Sequence, residues 1–373
     1  MNPRVFLIII LAFSQTGFIN VANFGATGDG SDQTAAINAA IASAGSGDTV
    51  YLPAGTYVVS STIRASNVRG LRLTGDGEFV TMIVPTDSLA GQPIIQMVDA
   101  MDSTIEALSI FGDSSAPPAA GIESLSASPG EATHLILRDV EVGSMSANSL
   151  VDGIKFDYGP NADYNNDLGY FDDVSVANFE HAAYEFIGVN TLVHLINGGV
   201  VKGGPIGVYC EGGAFRAIGT FFSVSDVVFD FDNTPSQQHP FYEHTILIQG
   251  IATEGSGGLL RTGTAPVAVS IIGADVKFAA GKVIDFESPQ GQLFISGSYF
   301  NFLDPSATLS FTGGRGQMVD LSGNFIDLNN LTLNGNFTSQ GNCWAGKPKM
   351  QIIGPSHFIQ RDNLCGALAL GRR

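Results

Sequence analysis

Between residues 67 and 337 the chain keeps returning to a short apolar run, a Gly, Asp or Asn break, and a second short run. The breaks at Asp139, Asp173, Gly198, Asp226, Gly250, Gly273, Gly297 and Gly323 are 34, 25, 28, 24, 23, 24 and 26 residues apart. A step near 24 residues is one coil of a strand solenoid. A single coil cannot bury its own inward side chains, so coils must stack, at about 4.8 Å per rung, to make a continuous core. The runs 135–137, 174–176, 192–196, 227–231, 246–248, 269–272, 293–295 and 319–321 supply the rungs. Dividing the length by the step gives about ten to twelve coils. The expected class is all-β, a parallel β-helix.

Composition agrees with this. The 25 phenylalanines, one tryptophan and 46 glycines suit stacked aromatic rungs joined by many turns, and 44% apolar residues can build the core. A formal charge of −18 argues against nucleic acid and anionic membranes. It also argues against polyanionic sugars unless Ca²⁺ bridges them, and the residues themselves point to no cofactor and no metal framework.

The stretch 23–57, NFGATGDGSDQTAAINAAIASAGSGDTVYLPAGTY, opens on Gly25, Gly28 and Gly30, which suit tight turns. A helix over 33–44 should come next, capped by Asp32, with Ile37, Ala40, Ile41 and Ala44 on one face. Gly45 and Gly47 end it, and 49–52 and 56–60 read as strands around a Pro53-Ala54-Gly55 turn. The pattern NFGA.GDG.D.T.AI..AI followed by TVYLPAGTY resembles the N-terminal signature of the pectate-lyase-like (rhamnogalacturonase/epimerase-type) family. That family comprises right-handed parallel β-helices found in secreted polysaccharide-degrading enzymes and phage tailspikes. The resemblance implies a right-handed coil with the short helix plugging its N-terminal end, a glycan as partner, and room for a homo-oligomer such as a trimer. It carries no catalytic residue.

The chain divides into three segments. Residues 1–19 hold Arg4 and a nine-residue apolar run, 5–13, of signal-peptide length, so they read as a leader or an N-terminal arm. Residues 20–340 are the β-helix and 341–373 a C-terminal cap or tail. An extracellular or virion location is expected. Cys343 and Cys365 could bridge in an oxidising compartment, whereas Cys210 sits in a strand pattern as buried packing.

A second repeating element, GIKFDYG, AAYEFIG, GVYCEGG, GLLRTG and KVIDFES, places Lys155, Asp157, Glu185, Tyr209, Glu211, Arg261, Asp285 and Glu287 on one strand of successive coils. A one-residue slip in phase would turn them inward. The candidate catalytic residues are Glu185, Glu211, Asp157, Lys155 and Arg261, because outward carboxyls on neighbouring rungs can drive their pKa values apart. Exposed charges are by default a solvated face. Segments 148–169 and 230–244 read as loops thrown out from the coil, and Tyr158, Tyr164, Tyr170, Tyr209, Phe241 and Tyr242 are candidates for stacking on sugar rings.

Polygalacturonases of the resembled superfamily carry a paired aspartate, but Asp172-Asp173 lacks the accompanying Asn-Thr-Asp, Gly-His-Gly and Arg-Ile-Lys, so Asp173 reads as a turn residue. Lys155, Lys202, Arg216 and Arg261 are the bases available for a lyase, and His181 and His194 read as core or turn residues. Carboxylates outnumber bases, which favours glycoside hydrolysis over elimination. The alternative is a non-catalytic solenoid used as an adhesin, filament subunit or tail component.

Overall fold

The computed structural model describes residues 17–361 apart from 114, 130–131, 144–148, 160–163, 189–190, 212, 232–243, 279–280, 303, 329, 346–347 and 355–356. Each coil lays down three strands, and each strand pairs in parallel with its counterpart one coil later. Phe215–Ile218, Phe221–Ser223 and Val227–Phe231, for example, lie under His244–Gln249, Ala252–Ser256 and Gly258–Thr262. The third strands of successive coils are β1 (Ala120–Ser126), β2 (Leu150–Tyr158), β3 (Phe179–Phe186), β4 (Ile206–Cys210), β5 (Val227–Phe231), β6 (Gly258–Thr262) and β7 (Lys282–Phe286).

The coil turns between its first and second strands on a left-handed residue, doubled at Gly198 and Gly199. Asp139, Asp173, Gly198, Gly250, Gly273, Gly297 and Gly323 hold φ between 51° and 72°, as the expected breaks require. Asp226 does not. Ile218 pairs with Gln249, so Gly219, at φ 67°, is the counterpart of Gly250. With Gly219 in place, the two longest intervals from Asp139 onward are Asp139 to Asp173, 34 residues, and Gly219 to Gly250, 31 residues.

The segment 148–169 is an excursion only in part. Leu150–Tyr158 is strand β2, because Ile154 and Phe156 fill the core. The Asn166 side chain then fastens the returning chain by donating to the backbone oxygens of Ser124 and Asp157, both at 2.8 Å. Of 230–244, the ends belong to strands and 232–243 lies outside the described residues.

Among the described residues the aromatic side chains Phe156, Phe171, Phe186, Phe215 and Phe229 are fully buried. His194 joins them, its ring parallel to Phe186 at 4.3 Å, and full burial pushes its imidazole down to about 3. It is a neutral core residue that accepts from the Gly169 N–H at 3.1 Å.

The helix Thr34–Ala42 buries Ile37, Ala40 and Ile41. Asp32 accepts from the Thr34 N–H at 3.1 Å, one position before the formal cap Gln33. At the other end Lys349–Ile352 and His357–Arg361 continue the ladder on 330–333 and 336–340, so the coil runs past the boundary expected at 340. Cys210 is buried in the core and Cys343 is disulfide-bonded, while its expected partner Cys365 lies outside the described residues, as do residues 1–16. Among the described residues no helix is long and apolar enough to cross a membrane.

Candidate active site

In each third strand alternation turns outward a residue near its C-terminal end, and register stacks these residues into a strip. Glu123, Lys155, Glu185, Tyr209, Asp230, Arg261 and Asp285 succeed one another on β1 to β7. Ile154 and Phe156, Tyr184 and Phe186, and Val208 and Cys210 point inward on either side of their respective outward residues. The phase expected for Lys155, Glu185, Tyr209 and Arg261 is the phase found.

Glu185 faces outward yet is only 6% exposed, because its neighbours cover it. Lys155 Nζ lies 2.9 Å from Glu185 Oε2 and 3.4 Å from Asp157 Oδ2. On the other side, His181 Nδ1 lies 2.8 Å from Asp152 Oδ1 and 3.6 Å from Glu185 Oε1. Asp152 also accepts from the Ala182 N–H at 3.1 Å, so it is a fixed, buried brace for the imidazole. The Tyr209 ring stands edge-on to His181 at 5.0 Å. Tyr209 also packs on an outer apolar patch of Ala182, Ile206 and Val227, which walls the cluster toward β5.

These contacts set the protonation states. Burial, then the charge of Asp152, push the Glu185 carboxyl up to about 7 against the opposing pull of Lys155 and His181. Burial pulls Lys155 down, but the Glu185 and Asp157 charges outweigh it and raise the ammonium, which stays protonated. The hydrogen bond to Asp152 raises His181 despite burial. Glu123, on the far side of Lys155, is raised by burial.

Glu211 lies two positions after Tyr209, the partner of Glu185, and is exposed. The Tyr209 hydroxyl donates to its Oε1 at 3.5 Å. Glu185 and Glu211 are therefore diagonal neighbours on adjoining rungs. Asp152, His181 and Glu185 present ligand atoms within 4.8 Å of one another and could hold a divalent cation. Lys155 already supplies the positive charge there, so an ion would have to displace it.

Other expected residues fall elsewhere. Arg261 lies three rungs from Glu185, bound to Asp226 and Asp230. Tyr170 pairs with Ile136 and Leu195 on the first strand of its coil, a different face, and leaves the site. Tyr158 ends β2 with its ring where a side chain on Gly188 would stand, and Tyr164 is half-buried beyond it. Phe241 and Tyr242 lie outside the described residues. Asp173 is the turn residue expected, and Asp172 accepts from the Asn197 amide at 2.8 Å. Sequence patterning does not single out Asp152, and His181, expected as a core or turn residue, is instead part of the cluster.

A family model described as Rhamnogalacturonase A/epimerase, pectate lyase-like, matches residues 18–202. Mannuronan C5-epimerase AlgE3 of Azotobacter vinelandii is 38% identical over 104 residues, which are 26% of this chain and 5% of that protein. The chain thus matches only a small part of this relative's length. Among solved structures, the A-module of mannuronan C-5 epimerase AlgE6 from the same organism superposes with a TM-score of 0.58 at 18% identity, covering 94% of this chain and 99% of that one. The catalytic unit of a GH87 alpha-1,3-glucanase from Streptomyces thermodiastaticus gives 0.50 at 15% identity, covering 96% and 70%. At these identities the superpositions speak for the fold alone.

Proposed function

The chain belongs to the pectate-lyase-like, rhamnogalacturonase/epimerase-type family of parallel β-helices, and from there we propose that it binds a polysaccharide along the outward strip and hydrolyses a glycosidic bond over β3 and β4. One observation carries this reading: Glu185 is a buried carboxyl held up to about 7, while Glu211 stands exposed on the next rung. A carboxyl that keeps its proton near neutrality can protonate a leaving oxygen, and an exposed carboxylate one diagonal away can take a proton from water.

The spatially closer carboxylate, Asp152, cannot replace Glu211. His181 Nδ1 stands between Asp152 and Glu185, at 2.8 and 3.6 Å, where a sugar would have to lie. Asp152, His181 and Lys155 are then positioning residues that hold the Glu185 carboxyl and set its proton affinity. The net charge of −18 and the carboxylates of the strip favour a neutral glycan.

A second reading rests on His181, a partly exposed imidazole braced by Asp152 beside the Lys155 cation. That set could remove the proton next to a uronate carboxyl, in line with the C5-epimerase activity named for AlgE3.

Incubation with neutral and uronate polysaccharides separates the two. Hydrolysis predicts new reducing ends without unsaturated sugars, lost by about 10²–10⁴-fold in Glu185→Gln and in Glu211→Gln. Cleavage that survives both changes would overturn the assignment. Unsaturated uronates, or deuterium uptake without cleavage, would favour His181.

A further inference from the structure

The strip continues beyond Glu211 into a second polar neighbourhood. Arg261 on β6 is the outward partner of Asp230 on β5 and of Asp285 on β7. Its guanidinium is clamped: Nε and Nη2 donate to Asp230 at 3.0 and 2.5 Å, and Nη1 and Nη2 donate to Asp226 Oδ2, both at 3.1 Å. These bonds use four of the five N–H groups of an arginine and leave one on Nη1.

Two cavities, of about 260 and 380 Å³, meet at this side chain, and both are lined by Arg261 and Asp285. Asp285 Oδ2 accepts from Lys282 at 2.6 Å, whereas its Oδ1 is buried and has no hydrogen-bond partner among the described residues. A buried acceptor, a spare guanidinium N–H and a shallow polar hollow are together what a pair of neighbouring sugar hydroxyls would fill, one donating and one accepting.

Charge narrows the ligand. Asp226, Asp230, Asp285 and Glu287 outnumber Arg261 and Lys282 around the two cavities, so a sugar bearing a carboxylate is repelled. Distance fixes the role. Arg261 is three rungs from Glu185, or about 14 Å at the rung spacing, and an extended glycan advances by about one rung per sugar.

We infer that the Arg261–Asp285 hollow is a distal subsite for a neutral sugar of the same glycan that reacts at Glu185, so that the chain lies along the solenoid axis and longer oligosaccharides are held better than short ones. The inference rests on the strip being a glycan groove, as proposed above. It deepens that reading by naming a residue pair that measures chain length.

The test uses the full chain carrying Glu185→Gln, to prevent turnover, and calorimetric titration with a disaccharide and a hexasaccharide of α-1,3-glucan and of cellulose. The expected result is tighter binding of one hexasaccharide than of its disaccharide. That preference should fall about tenfold, or 1.4 kcal/mol, when Asp285→Asn or Arg261→Lys is added. Arg261→Lys keeps a cation against Asp230, and melting curves of both variants report whether the fold is retained. A length preference unchanged in both folded variants would overturn the subsite while leaving the groove intact. Failure of every glycan to bind the Glu185→Gln protein would overturn the groove itself, and the subsite with it.

Discussion

Two neighbourhoods of one outward strip set a cation among carboxylates, and they reach opposite ends. Around Lys155 the central carboxyl, Glu185, is 6% exposed; around Arg261 the central carboxylate, Asp230, is also 6% exposed. Burial is therefore matched, and the difference lies in the cation. Arg261 meets both Asp230 oxygens with two parallel N–H bonds, the planar fork that best replaces lost water. The Lys155 ammonium is a point charge shared between Glu185 and Asp157, and Asp152 crowds Glu185 from the other side. A fork makes a closed structural pair, whereas a shared point charge leaves a carboxyl that exchanges its proton near neutrality. Under the proposed function, the strip holds a reactive rung and a recognition rung built from similar parts.

The largest expected effect comes from removing the two cations. Arg261→Ala strands Asp230 with its side chain only 9% exposed, and should cost about 3 kcal/mol, the low end for breaking a buried pair because Arg261 itself is 41% exposed. Lys155→Met should cost about 1 kcal/mol, since Glu185 can simply keep its proton. Thermal unfolding of both variants at one pH measures the gap; equal losses would erase the distinction.

A smaller effect is a pH dependence of stability with an unusual sign. Glu185 sits at about 7 in the fold against an ordinary 4.5, so the folded state holds the proton more tightly. Its contribution is full below about 4.5 and is lost as pH rises through about 7. His181, also raised, acts with the same sign from 6.5 upward. Asp29, lowered from 3.8 to about 2 by its bonds to Ser31, acts oppositely, and its contribution is lost as pH falls through about 2. Melting temperatures between about pH 4.5 and 7 should therefore drift down with rising pH, and Glu185→Gln should flatten the drift. A drift unchanged in that variant would place the titration elsewhere.

The smallest effect tests the frame both neighbourhoods share. Gly273, at φ 62°, has nothing within 4 Å of where a Cβ would stand, so Gly273→Ala isolates the backbone cost, about 1 kcal/mol. Asp173 tolerates φ 52° as it is, and Asp173→Gly should change the melting point less than Gly273→Ala does. The reverse order would mean that the Asp173 side chain, and not its backbone, makes the corner.

The coil is legible because stacking imposes a period that survives in the letters, and the left-handed corner favours Gly and Asp, with Ala107 at φ 54° an exception. The one misplaced corner, Asp226 for Gly219, arises because both come after short apolar runs and only the pairing of Ile218 with Gln249 tells them apart. In the site, alternation brings out Lys155, Glu185, Tyr209 and Arg261. It hides Asp152, because Gly153 and Ile154 both turn inward at the start of β2 and so reverse the parity; a Cβ on Gly153 would strike Val176 at 2.3 Å. His181 carries no alternation signal, because one extra residue between Phe179 and Ala182 and the inward pair Ala183 and Tyr184 break the parity, and a lone histidine acquires meaning only when Asp152 arrives from the rung below. Tyr170 misleads for the opposite reason: composition marks an aromatic as half-wet without saying which of three faces it occupies.

The two long intervals, after Asp139 and after Gly219, begin at corners of the same kind as the short ones, and each returns to an in-register strand. Closing a longer loop between fixed ends adds free energy only logarithmically, so the number of residues between such a corner and the next rung is nearly unconstrained by folding. Inheritance can therefore act on these intervals separately from the frame. Inserts of different length and composition can be exchanged there while the register that aligns Glu185 with Tyr209 and Arg261 with Asp285 stays as it is, so that under the proposed function glycan preference is the most readily altered trait of this molecule and the direction of its groove the least.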